Sequence, residues 1–115
     1  MFKYRFIDNV ANGLIVQAVD IFGYDILPSD KEVWDIVRNL SNPPSDNEMT
    51  SIFVVMFFQN LAGKLWEIDS SLQFDWCSNS QDSYFDYRFN FFEDFKPIGN
   101  LYEFVEKIKM RAKGE

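Results

Sequence analysis

LWEIDSSLQFDW, residues 65–76, followed after a polar interval by YFDYRFNF, residues 84–91, is the stretch on which the fold turns. In the first segment Trp66, Ile68, Leu72, Phe74 and Trp76 share one parity, while Glu67, Asp69, Ser71, Gln73 and Asp75 share the other; only Leu65 and Ser70 break the pattern. In the second, Phe85, Tyr87, Phe89 and Phe91 alternate with Tyr84, Asp86, Arg88 and Asn90. Successive side chains of a strand point to opposite faces, so a period of two marks strands with one buried and one solvated face. With the polar interval SNSQDS at residues 78–83 between them, the two segments predict an antiparallel hairpin. Its register has two readings. If Cys77 and Tyr84 flank the loop as partners, Asp75 stands opposite Asp86, a destabilising pair of like charges; a slip of two residues sets Asp75 opposite Arg88 instead.

Outward from the hairpin the pattern changes. Phe2, Tyr4 and Phe6 alternate with Lys3 and Arg5 and predict a first strand. Val10, Leu14, Ile15, Ala18, Val19 and Phe22 then follow helical spacing, and Gly23 is placed to end that helix. Ser29 with Glu32 forms a capping box ahead of a second helix with the apolar stripe Val33, Trp34, Ile36, Val37 and Leu40, closed by Pro43 and Pro44. Residues 50–63 read two ways. Ser45 with Glu48 is a second capping box, yet residues 52–58 are an unbroken β-branched and aromatic run. A strand over residues 50–58 is favoured because the following strand needs a neighbour; a helix ending at Gly63 is the alternative. After Pro97 comes a last helix capped by Asn100, with Glu103 three residues on and the stripe Leu101, Phe104, Val105 and Ile108. The predicted class is α+β, an antiparallel sheet of about four strands with three helices packed on one face, in the order β-α-α-β-β-β-α.

Composition bounds the function more by exclusion than by assignment. A chain of 115 residues suits one domain, and with 47% hydrophobic and 25% charged residues it has the make-up of a folded globule. The outlier is aromatic content, 13 Phe, 5 Tyr and 3 Trp, which predicts a ring-filled core. One cysteine, Cys77, cannot pair within the chain, the first residues lack the apolar stretch of a secretory signal, and the longest apolar run is far short of a membrane helix. A cytoplasmic protein with no membrane contact is expected. The net charge is −7, and because Lys107, Lys109, Arg111 and Lys113 gather at one end, the rest of the chain is more acidic still. Such a body repels nucleic acid and attracts a basic protein partner. The basic end itself suits the C-terminal pole of a helix dipole.

The chain has no histidine, hence neither the commonest general base nor the commonest metal ligand, and none of its five glycines forms a phosphate-cradling loop. Asp75 together with the Asp94, Phe95, Lys96 triplet is similar to a nuclease's acid and acid-x-Lys pair, but one such triplet is what chance delivers in a chain of this composition. No catalytic residue, metal or cofactor is expected. The constellation left is the wet face of the hairpin: Glu67, Asp69 and Asp75 on one strand beside Tyr84 and Asp86 on the next, with Asp82 in the connecting loop. Opposed acids there would be relieved by a basic partner, with Tyr84 as an anchoring ring.

This profile, small, acidic, cysteine-poor and α+β, resembles in general character the immunity proteins of bacterial toxin–immunity systems of the contact-dependent inhibition and colicin-like kinds. The resemblance implies a protein that binds one cognate toxin, often a basic nuclease, and blocks its active site or substrate surface; a monomer or weak dimer is expected. Two other classes share the profile: acidic secretion chaperones that hold an effector segment on apolar patches, and phage-encoded inhibitors of host nuclease defence.

Overall fold

The structure, a computed structural model, describes residues 9–40, 46–80 and 85–113. The expected strand at Phe2, Tyr4 and Phe6 lies outside those residues, as do Pro43, Pro44 and Ser45. The described chain runs α1 (Asn9–Phe22), a 3-10 turn (Tyr24–Ile26), α2 (Asp30–Val37), α3 (Asp46–Ile68), β1 (Leu72–Ser80), β2 (Phe85–Glu93), β3 (Lys96–Ile98) and α4 (Leu101–Ala112). The class is α+β; among the described residues it has an antiparallel sheet of three strands in the order β1-β2-β3 and four helices. Helices α1, α3 and α4 touch the sheet, whereas α2 leans on α3.

The main correction concerns α3. Residues 50–58 are not a strand, and the predicted strand does not begin at Leu65: one helix runs through both, Asp46–Ile68. Its buried positions, Met49 and Thr50, Phe53 and Val54, Phe57 and Phe58, then Leu61 and Leu65, step by three and four along its whole length. Trp66, expected on the core side of a strand, is 70% exposed, and Leu65, expected on the wet side, is 1% exposed. The inversion is what helical geometry demands, because Leu65 follows Leu61 by one turn while Trp66 is rotated about 100° away.

Helix α3 carries the core. Phe58 is its hub, meeting Phe74, Trp76 and Phe89 of the sheet at ring-centroid distances of 6.0, 4.9 and 5.3 Å. Phe104 of α4 stacks on Phe91 at 4.6 Å and meets Phe74 edge-on at 6.3 Å. The buried rings among these, Phe58, Phe91 and Phe104, each contribute about 1.5–3 kcal/mol through area removed from water, and the edge-on pairs add a quadrupole term. Asn60 Nδ2 donates to the Ile26 carbonyl at 3.0 Å and so fastens the 3-10 turn to α3.

Caps are where local chemistry spoke plainly. Ser29 and Glu32 form the expected capping box on α2. The Asn100 side chain accepts from the Glu103 N–H at 2.9 Å to start α4. Gly23, at φ 89°, ends α1 with its N–H on the Val19 carbonyl at 2.8 Å. The hairpin is present with a different register and a third strand. Phe74 pairs with Phe91 and Trp76 with Phe89, so Leu72, Phe74, Trp76, Phe89 and Phe91 face the helices, while Gln73, Asp75, Cys77, Arg88 and Asn90 are exposed on the other side. Pro97, expected to separate sheet from helix, lies inside β3 opposite Phe92.

Candidate partner-binding site

The acidic face expected on the hairpin is not assembled. Glu67 belongs to α3 and forms an exposed pair with Lys64 at 3.6 Å, an arrangement of little energetic weight. Asp69 sits in the turn between α3 and β1. Its Oδ1 accepts from the Ser71 N–H at 3.0 Å and the Ser71 hydroxyl at 2.7 Å, and its Oδ2 accepts from Arg111 Nε at 2.7 Å. The Ser71 bonds first, and Arg111 after them, hold the Asp69 carboxyl below its ordinary value. Asp69 thus ties the turn between α3 and β1 to α4. Arg111 Nη2 also reaches Glu93 at 2.7 Å, and Lys107 joins Glu93 at 3.0 Å, so two of the C-terminal cations tie α4 to the hairpin.

Neither expected register is found: Asp75 stands opposite Asn90, Cys77 opposite Arg88, and Asp86 opposite Asn79. Asp75 and Asp86 are therefore not register partners. Of the six residues expected to bind a partner, Asp75 is exposed on the wet face, and Asp86 occupies a register position of the same parity. Asp82 and Tyr84 lie outside the described residues.

Two other surfaces replace the expected one. Between α2 and α3 runs a groove of about 450 Å³ lined by Ile36, Leu40, Ile52, Val55 and Met56, with Glu48 among its polar edges. It exists because α2 presents more apolar surface than one neighbour covers. Val33 and Val37 are buried against the core, but Ile36 and Leu40, on the next face round, stay 41% and 44% exposed. The width of the stripe over residues 33–40 was the signal for this, since five apolar residues in two turns exceed the face one helix contact can bury.

The second surface borders β1. Trp66 overlooks a depression shared with Ala62, Leu65, Leu72 and Gln73. Across the strand, a second depression is lined by Gln73, Phe74, Asp75, Phe92 and Phe95. Phe95 is 84% exposed and, with Asp94, occupies the two-residue turn joining β2 to β3 at φ 65° and 50°. Those angles belong to the left-handed region that such a tight hairpin requires and that glycine or asparagine fills most easily. A bulky ring held there, in water, is an outlier that the sheet does not need for its own packing. In the sequence Phe95 stands only inside an acid-x-Lys triplet, with no glycine or asparagine to mark the turn.

Among the described residues, no three of His, Cys, Asp and Glu converge as metal ligands, and no helix is long and apolar enough to cross a membrane. Compared with known proteins, the chain matches no family model, no curated protein and no solved structure.

Proposed function

We propose that this protein is a non-catalytic inhibitor of the immunity class, which binds a basic toxin domain, such as a nuclease, and occludes its working surface. The observation that carries the reading is the apolar groove between α2 and α3 with a carboxylate at its edge, in a chain of net charge −7. Apolar residues left uncovered at the centre of a patch supply the anchor of an interface, and a like-signed field around it draws an oppositely charged partner. The lack of histidine throughout the chain points the same way, toward binding rather than turnover.

The test is to purify the toxin domain encoded beside this protein and measure its activity with and without the chain. A stable complex with loss of toxin activity is expected. Ile36→Lys, at a half-exposed position that leaves Val33 and Val37 in place, should weaken that complex about tenfold or more. Full toxin activity at saturating chain would overturn the reading. The apolar character of the groove also favours a second one, a secretion chaperone, in which the groove holds an effector segment; that protein would raise the solubility of its effector while inhibiting no activity.

A further inference from the structure

Among the described residues the sheet ends at β1 and at β3, and these two edges are built differently. The β3 edge is three residues long and carries Lys96 and Pro97, a charge and a residue with no N–H to offer. Both features discourage another strand from adding there. The β1 edge has neither. It pairs with β2 one residue to one over its full nine residues without a bulge, and its exposed residues at the start are Gln73 and Asp75. Both depressions described above open along residues 72–75, one on the helix side under Trp66 and one on the wet side beside Asp75 and Phe95. Asp75 makes no ion pair among the described residues.

We infer that residues 72–75 of β1, shouldered by Trp66 and Phe95, form a strand-addition site for an extended basic segment of a protein partner. This deepens the proposed function and rests on its basic partner. Side chains of an added strand alternate between the two faces. Apolar ones enter the depression beneath Trp66, and the Lys or Arg between them reach Asp75 on the wet side, where the Phe95 ring offers its face to a cation. A second copy of this chain is a poor occupant, because each copy brings net charge −7 and another Asp75 to the same edge.

The test uses the full chain and two short peptides, one alternating Val with Lys or Arg and one with Glu at the basic places. The basic peptide should bind and shift the amide resonances of residues 72–75, while the acidic peptide should not bind measurably. Asp75→Lys and Trp66→Ala, both at exposed positions, should each weaken binding about tenfold, with melting temperatures close to wild type. Resonance shifts confined to the α2–α3 groove would overturn the site, as would affinity indifferent to Asp75→Lys. So would dimerisation through β1, which would assign the edge to a second copy. Removal of residues 1–7 that tightened peptide binding tenfold or more would assign it to the chain's own first residues. Edge variants that still neutralise the toxin sink this site and leave the proposed function standing; a chain that binds the peptide at β1 yet neutralises no toxin does the reverse.

Discussion

Arg111 gathers three separate pieces of chain: its own helix α4, Asp69 at the end of α3, and Glu93 at the end of β2. All three side chains are about one-quarter exposed, so the guanidinium works in a partly desolvated setting where two fixed carboxylates need it. Arg111→Ala should therefore cost roughly 1–3 kcal/mol in urea unfolding, more than an exposed pair is worth. Arg111→Lys should recover only part, since a point charge cannot reach both acids as the planar fork does. Asp69 adds a pH dependence. Its carboxyl is held low by the Ser71 hydroxyl and N–H and then by Arg111, so near the ordinary aspartate value, about 4, the unfolded chain binds more protons than the folded one. That contribution is complete above this pH and is lost as pH falls through the lower folded value. Asp69→Asn, which keeps an acceptor for Ser71, should flatten the acid side of the stability profile measured by urea midpoint against pH. Phe95 gives the opposite sign. Phe95→Gly at φ 65° should raise stability by about 1 kcal/mol, because the left-handed conformation costs glycine nothing.

Helix α3 shows which elements were legible in the sequence and which were not. The caps at Ser29, Gly23 and Asn100 were readable because each is a local device whose chemistry acts over three or four residues. Residues 52–58 were not, because a run that is apolar at every position has no period of its own, and β-branched content argued for a strand. Only its flanks decide. Met49 before the run and Leu61 and Leu65 after it continue one helical stripe. The supposed alternation of residues 65–69 was little more than one turn of helix, too short a sample to tell from a strand. The acidic site fell with it, since Glu67 and Asp69 owed their places on the wet face to that strand. Two helical glycines test the elements directly. A Cβ on Gly63 in α3 would meet nothing within 4 Å, whereas one on Gly13 in α1 would stand 3.1 Å from the Leu101 side chain of α4. Gly63→Ala should accordingly stabilise by roughly 0.5–1 kcal/mol. Gly13→Ala should gain less or destabilise, as Leu101 is pushed from the α1–α4 contact; thermal melts of the two variants side by side give the comparison.

Over the whole molecule, charge and apolar surface play separable parts. Asp20, Asp25, Asp30, Glu32, Asp35 and Glu48 are exposed on the helical side, and the described wet face of the sheet carries the acid Asp75 and the base Arg88, which are not register partners. Among the described residues, more of the exposed acids therefore lie on the helical side than on the sheet, and one of them, Glu48, lines the groove. Fields of this kind act on encounter, being felt over roughly a Debye length of 8 Å at physiological salt, whereas buried apolar contacts act on residence. For the complex with a basic toxin domain, the association rate should fall steeply as salt rises while the dissociation rate stays nearly constant. Ile36→Lys should mainly raise the dissociation rate, because it places a charge where the partner's apolar anchor would sit. Replacing Asp20 and Asp25 by Asn and Asp75 by Asn in separate variants apportions the field: the helical pair should slow association more than the strand residue does. Stopped-flow mixing at several salt concentrations measures all of these. An association rate indifferent to salt, with affinity still lost in Ile36→Lys, would leave the groove as the sole determinant and move the balance toward the chaperone, whose effector segment needs apolar contact and no steering.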